Sequence, residues 1–202
     1  MLDVSIPLLV AVAVGSAFTH GFCGFGFGIL VVASLSFLGC GLERASVLVT
    51  LLAFMVTGTI TVSARHHLSV DWRAVWLLML GISIGVPLGY GFVCHAERLP
   101  VGRLVFGLVL VGFALQGMIR PVSGLRLPSW SGALFGGAGG FLGGAFSSAG
   151  PPLVFYLYFR EDNPRIAKRT LQVVFILIGL LRIVVILFGD RGIPLTMLGK
   201  AA

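Results

Sequence analysis

Charged residues are scarce in this sequence. Only 10% of its 202 residues are Asp, Glu, Lys or Arg, whereas soluble globular domains carry roughly 25%. This shortage excludes a soluble domain as the main body of the chain. Basic residues outnumber acidic ones by 14 to 7, but they are scattered through short connections and form no block that could follow a nucleic-acid backbone. The positive charge is therefore explained better by membrane topology, and no nucleic-acid partner is predicted.

Cysteine and the common enzyme motifs are also rare or absent. The three cysteines, at positions 23, 40 and 94, form no C-x-x-C pair and lack histidines at metal-ligand spacing, so neither a disulfide framework nor a metal site is indicated. The sequence contains no P-loop, G-x-S-x-G elbow or H-E-x-x-H motif, and Ile29 stands where a G-x-G-x-x-G motif needs its last glycine. Ser147 and Ser148 have no base nearby in the sequence. No enzyme activity and no cofactor are therefore predicted.

Long apolar runs dominate what is present. The sequence is 57% hydrophobic, with a mean hydropathy of +1.06, and a membrane-spanning helix needs about 20 apolar residues. We therefore predict an all-α polytopic protein of the inner or plasma membrane, with one transmembrane domain over residues 1–202. No basic residue precedes the first apolar run, so we interpret the N-terminus as mature sequence and not as a signal peptide. The apolar segments lie at 6–20, 29–38, 45–62, 74–93, 101–118, 129–159 and 166–189.

Glycines interrupt two of these regions. The stretch HGFCGFGFG at 20–28 divides residues 6–38 into two runs that are each too short to cross a hydrocarbon core of about 30 Å, and 129–159 is interrupted in the same way. Gly15, Gly21 and Gly28 each have a counterpart 122 positions later, at Gly137, Gly143 and Gly150. We predict two homologous repeats, each starting with a glycine-broken or re-entrant helical element. Repeat one covers about 5–118, and an incomplete repeat two, expected to lack two spans, covers about 129–202.

The two breaks predict a binding site. Irregular backbone is tolerated at membrane depth only where it is buried in protein or lines a polar cavity, and paired broken helices mark the central site of transporters. Successive N–H groups in glycine turns and the N-terminus of a half-helix both favour a small anion. Ser147 and Ser148 are equally consistent with helix capping or with hydrogen bonds between helices. The substrate-binding residues predicted in the breaks are Gly24, Gly26, Gly28, Ser147, Ser148, Gly150 and Pro151.

Three further polar residues lie on the helices that follow the breaks. Arg182 is about eight residues, or roughly 12 Å, from the polar end of its segment, too far for easy snorkelling. We expect it to face the bundle interior and to contact substrate or pair with an ion; the alternative is a tilted helix with this arginine at the membrane edge. Thr50 and Gln172 coincide under the 122-residue shift and are predicted to line the path, although hydrogen bonds between helices explain them equally well.

Other glycines and the histidines receive a structural interpretation. The G-x-x-x-G spacing of glycines 81, 85 and 89, and of glycines 132, 136, 140 and 144, predicts close helix packing without a ligand. His20 borders the first break, but no carboxylate or second histidine lies near it in the sequence. We interpret it, with His66 and His67, as structural or solvated and not as a proton carrier.

Three stretches carry a family resemblance. They are GFGFGILVVASLSFLG, GGAFSSAGPPLVFYLYF and KRTLQVVFILIGLLRIVVILFG, and together they resemble the sulfite exporter TauE/SafE family of membrane transporters over about residues 10–190. The resemblance implies a secondary transporter of small anions, such as sulfite, sulfonates or other organosulfur compounds, with alternating access by rocking of one repeat against the other. Family members usually have a longer second half. The alternative is therefore a truncated, non-transporting fragment or an assembly partner of another membrane subunit.

The distribution of basic residues predicts how the broken elements enter the membrane. If both elements return to the side from which they start, the arginines and lysines outside Arg182 divide eight to five between the two sides; if both cross once, they divide seven to six. The first arrangement fits the positive-inside rule better. It predicts two inverted repeats, with the connections at 63–73, 119–128 and 160–169 in the cytoplasm.

Overall fold

The computed structural model describes residues 6–23, 26–38, 42–63, 69–96, 104, 107–108, 111–112, 128 and 130–188. Within these ranges every regular element is an α-helix, which confirms the all-α prediction. The apolar segments predicted from the sequence coincide with these helices, except that most of 101–118 lies outside the described residues. The helices are α1 (Ile6–Cys23), α2 (Phe27–Phe37), α3 (Leu42–Ser63), α4 (Trp72–Ala96), α5 (Ser131–Phe146), α6 (Gly150–Arg160) and α7 (Pro164–Phe188).

Two of the described helices are long and apolar enough to cross a membrane, as judged by length and composition. They are Trp72–His95 and Pro164–Phe188, of 24 and 25 residues. At 1.5 Å per residue they measure about 36 and 38 Å, against a hydrocarbon thickness of about 30 Å. Val10–Gly21, Phe27–Ser36 and Ala45–Thr61 are shorter apolar helices. The number of membrane crossings and the two-repeat organisation stay predictions.

The second broken element, α5 and α6, folds back on itself as an antiparallel hairpin. A side chain at Gly132, near the start of α5, would meet the hydroxyl of Tyr156, near the end of α6. A side chain at Gly139, farther along α5, would meet Leu153, which lies earlier in α6. The hairpin therefore starts and finishes at the same end of the bundle.

An ion pair marks that end of the bundle. Arg160 Nε, at the end of α6, lies 3.0 Å from a carboxylate oxygen of Asp71, just before α4. The backbone N–H of Asp71 donates to the hydroxyl of Thr170 in α7 at 3.1 Å. Burial alone would raise the pKa of Asp71, but hydrogen bonds from Ala74 and Arg160 and the charge of Arg160 hold that pKa below its ordinary value. If residues 129–159 crossed the membrane once, positions 71 and 160 would lie at opposite ends of the bundle. The contact between Asp71 and Arg160 therefore supports the hairpin prediction.

The first broken element, α1 and α2, approaches from the opposite end. Helices α1 and α2 pack against each other, so α1 folds back along α2, and Val12 of α1 packs against the hydrophobic cluster that contains Val31 of α2. The same cluster contains Val93, near the end of α4 that is farther from the ion pair. The two hairpins meet at their turns, where a side chain at Gly28 would overlap the carbonyl group of Ser147. Two oppositely directed hairpins thus join at the centre of the bundle.

Helices α4 and α5 run parallel and touch backbone to backbone. A side chain at Gly81 would overlap the backbone of Ala133, and one at Gly89 would overlap the backbone of Phe141. Glycines 136, 140 and 144 of α5 have the same close approach to the backbone of α4. The packing interpretation of the G-x-x-x-G series is confirmed for this helix pair.

Neighbouring glycines on α5 provide a matched test of this packing. The methyl group of Gly136→Ala would overlap the carbonyl oxygen of Leu78, and forcing the helices apart costs about 1–3 kcal/mol. The atom nearest to a methyl group at Gly137 is the carbonyl oxygen of Gly81, at 3.9 Å, so Gly137→Ala should be tolerated. We expect Gly136→Ala to lower the melting temperature in detergent by several degrees. Equal melting temperatures for the two variants would contradict backbone-to-backbone packing.

The predicted sidedness can be tested with single cysteines at Leu38, Ser69 and Asp162 in a cysteine-free background. With an impermeant thiol reagent on intact cells, we expect labelling at position 38 only. Positions 69 and 162 flank the Asp71–Arg160 ion pair and should react only after the membrane is opened. Labelling at one of these two positions with protection at the other would show that the second broken element crosses the membrane.

Candidate substrate-binding site

A cavity lies where the two hairpin turns meet. The centre of a water molecule can occupy about 70 Å³ of it. A single buried water needs about 10–15 Å³ of volume defined in the same way. Residues of α1, α2, α3, α5, α6 and α7 contribute to its wall. The space is therefore sufficient for a few water molecules or one small ion.

Most of the predicted site residues lie in this wall. They are Gly26, Gly28, Thr50, Ser147, Ser148, Gly150 and Arg182. Pro151 and Gln172 are buried but are not part of the wall, and Gly24 lies outside the described residues. Gln172 is ten residues before Arg182 on α7, which is about 15 Å along the helix and about 80° around it. It therefore faces other neighbours.

Arg182 provides the charged end of the cavity. Its side chain is 1% exposed, as expected for a residue that faces the bundle interior. Nη1 donates to the carbonyl of Gly143 at 2.8 Å and to the hydroxyl of Ser147, while Nη2 donates to the hydroxyl of Ser46 at 2.8 Å. All three acceptors are neutral, and no carboxylate of the described residues lies within ion-pairing distance. The described part of the protein thus leaves this charge without a counter-ion.

Ser147 connects the arginine to two helices. It follows α5 with a φ of 54°, a left-handed conformation that is uncommon for residues with a side chain. Its hydroxyl accepts from Arg182, donates to the carbonyl of Ser46 at 2.9 Å and lies 3.1 Å from the hydroxyl of Thr50. Thr50 also donates to the carbonyl of Ser46 at 2.7 Å. The hydroxyls of Ser147 and Thr50 are thus engaged within the protein and position Arg182.

The backbone donors at the second break differ from those predicted. The N–H groups of Ser147 and Ser148 donate to carbonyls in the last turn of α5, at 3.1 and 3.2 Å. Pro151 has no N–H group. These residues therefore offer no main-chain donor to a ligand, because the end of α5 uses two of the groups to satisfy its own carbonyls.

Two helix N-termini reach the cavity instead. Helix α2 starts at Phe27, directly after Gly26 with its φ of 104°, and α6 starts at Gly150. These three residues belong to the wall. The first-turn N–H groups of a helix have no partner within it, and the helix dipole places partial positive charge there. In α6 only Gly150 supplies such a group, because Pro151 and Pro152 have no N–H. Both breaks therefore present a positive end to the same space.

Three buried polar atoms of the wall have no hydrogen-bond partner among the described residues. They are Nε of Arg182, Oγ of Ser148 and Nδ1 of His20. Buried polar groups in folded proteins are nearly always paired. These three residues of the wall therefore hold hydrogen-bonding capacity that the described residues do not use.

Sequence reasoning did not select three residues that contribute to the site. Ser46 binds Arg182 and lies four residues before Thr50, a helical spacing that could have indicated it. His20 was interpreted as structural, although its position beside the first break was a signal. Thr57, also in the wall, has no distinguishing sequence context. Its role follows only from its contact with His20.

Comparison with known proteins identifies the family of this chain. The family model for the sulfite exporter TauE/SafE matches residues 8–200. This chain belongs to the TauE/SafE family. It is 28% identical over 180 residues to the probable sulfite/organosulfonate exporter TauE of Cupriavidus necator, an alignment that covers 86% of this chain and 69% of that protein. No solved structure gives a significant match. The resemblance found from the three sequence stretches is therefore confirmed, and with it the assignment to a family of membrane transporters.

The two adjacent serines of this TauE/SafE protein should respond differently to alanine. Ser147→Ala removes the hydroxyl that links Arg182 to α3, and leaving buried partners unsatisfied costs about 1–3 kcal/mol. Ser148→Ala removes a hydroxyl that has no partner among the described residues, so stability should change by less than about 0.5 kcal/mol while anion binding weakens. Thermal unfolding without ligand and anion titration measure the two effects. Equal destabilisation by both variants would contradict this division of roles.

Proposed function

We propose that this chain is a secondary transporter of small oxyanions, with sulfite or a sulfonate group as its cargo. The observation that supports this most directly is the guanidinium of Arg182, buried in the cavity wall with only neutral partners among the described residues. A charge near the bilayer centre costs about 2.5–3.5 kcal/mol on insertion scales. A bound anion supplies the counter-charge that the described residues do not.

The other groups in the wall favour an oxyanion. Nε of Arg182 is a donor, and the hydroxyl of Ser148 can donate; neither atom has a partner among the described residues. The first turn of α2 adds backbone N–H groups, whereas the first turn of α6 adds only that of Gly150, because Pro151 and Pro152 have none. A sulfite or sulfonate group presents three acceptor oxygens, and a planar guanidinium binds such groups with defined geometry.

The arrangement of the hairpins supports alternating access. The α1–α2 and α5–α6 hairpins approach from opposite ends and touch where Gly28 meets Ser147, beside the cavity. Rocking of one hairpin and its supporting helices against the other would open the space toward one end at a time. The Cupriavidus necator relative is named a probable sulfite/organosulfonate exporter, and we propose the same substrate class for this chain.

Substitution of Arg182 tests the proposal. Arg182→Leu makes α7 more apolar, so the protein should still insert, but anion-dependent flux in proteoliposomes should be lost. Arg182→Lys should retain part of the flux, because it keeps the charge and loses the planar fork. Arg165→Leu, at an exposed position in the first turn of the same helix, is the matched control and should transport normally.

The substrate panel should contain sulfite, thiosulfate, ethanesulfonate and acetate. We expect flux with the sulfur oxyanions and weaker or no flux with acetate, which has only two acceptor oxygens. Absence of anion-dependent flux with every compound would overturn the transporter proposal. Wild-type affinity in Arg182→Leu would show that the arginine is structural.

A further inference from the structure

The cavity has a second polar end, formed by His20 and Thr57. His20 is 5% exposed, and its Nδ1 has no hydrogen-bond partner in the part of the chain that the structure describes. Its Nε2 lies 3.4 Å from the hydroxyl of Thr57, which is long for a hydrogen bond. Both residues belong to the cavity wall. This end therefore contains unused hydrogen-bonding capacity that the anion site around Arg182 does not explain.

Two helices independently indicate the distance between the polar ends. On α3, Thr50 lies at the Ser147 end and Thr57 at the histidine end, seven residues away. On α7, the ring of Phe175 lies 6.2 Å from that of His20, and Arg182 is again seven residues farther along. Seven residues of helix correspond to about 10 Å. The wall between the two ends consists of Ala53, Phe54, Ile178 and Gly179.

A slot of this form suits a short molecule with polar groups at both ends. Two hydrogen bonds of about 2.9 Å occupy about 6 Å of the available length, which leaves about 4 Å between the polar groups of the ligand. An aliphatic link of two carbons provides that separation and matches the apolar middle of the wall. Inorganic sulfite would occupy only the end near Arg182.

We infer that His20 and Thr57 form a second subsite, which selects short-chain sulfonates with a neutral hydrogen-bonding group at the end opposite the sulfonate. This inference rests on the proposed function, because it places the sulfonate at Arg182. Lys168 Nζ donates to the carbonyl of Gly21 at 2.9 Å, one residue from His20, so a positive charge lies close to the subsite. A terminal hydroxyl is therefore favoured over an ammonium group.

Three sulfonates of equal chain length test the subsite on the full-length protein in detergent. They are ethanesulfonate, 2-hydroxyethanesulfonate and 2-aminoethanesulfonate. One added hydrogen bond corresponds to about a three- to tenfold gain in affinity, so we expect the hydroxyl compound to bind that much more tightly than ethanesulfonate. We expect the amino compound to bind no more tightly than ethanesulfonate. Isothermal titration provides the dissociation constants.

Variants then separate the subsite from the anion site. His20→Leu and Thr57→Val should each reduce the preference for the hydroxyl compound over ethanesulfonate to near unity. His20→Gln, whose amide can donate and accept, should keep part of the preference. Thr59→Val is the matched control on α3, because the Thr59 hydroxyl is exposed and bonds its own helix.

The outcomes distinguish this inference from the proposed function. A wild-type protein that binds ethanesulfonate and the hydroxyl compound equally overturns the subsite and leaves the anion site intact. An equal loss of affinity for both ligands in His20→Leu, with the same loss in His20→Gln, also overturns it, because this is the pattern of a structural role. Failure of all three sulfonates to bind the wild-type protein overturns the sulfonate assignment itself, and the subsite with it.

Discussion

The buried guanidinium of Arg182 determines how the centre of the molecule is arranged. A cation at this depth costs about 2.5–3.5 kcal/mol, and hydrogen bonds from a charged donor return about 1.5–3 kcal/mol each. Its bonds to Gly143, Ser147 and Ser46 therefore offset the cost of burial and connect α7 to α5 and α3. Because every one of these partners is neutral, the side chain is held in place without a counter-ion among the described residues.

Small residues make this arrangement possible. Glycines allow α4 and α5 to approach backbone to backbone, and α4 contributes no residue to the cavity wall. The α4–α5 pair therefore acts as a closely packed platform that holds the turn with Ser147 in position. Gly28 has the corresponding role in the first hairpin, since any side chain there would overlap the Ser147 carbonyl. The site exists because two main chains can meet without side chains between them.

The course of the helices was largely predictable from the sequence. An apolar chain in a membrane must satisfy its backbone hydrogen bonds locally, so long apolar runs become helices and glycine-rich interruptions end them. The described helices end at Cys23 and Phe146, and the next ones start at Phe27 and Gly150. Both pairs of positions differ by 123, within one residue of the 122-residue spacing of the glycines. Which way the second hairpin turns needed the contacts between Asp71 and Arg160 and between Gly132 and Tyr156.

For the site, the sequence by itself predicted a buried Arg182 and a binding site at the two breaks; the structure shows the burial and brings both breaks to one cavity. The cost of a charge or an interrupted helix at membrane depth is a property of the local chain and its solvent, so it can be deduced without knowing the neighbours. Only the tertiary structure decided the partners: the capping of α5 by the N–H groups of Ser147 and Ser148, the exclusion of Gln172, and the placement of His20 in the wall. These features depend on which helix faces meet. Arg182 contacts Ser147 and Ser46, which lie 35 and 136 positions away in the sequence. Contacts over such separations produce no repeating pattern of residues in a single sequence.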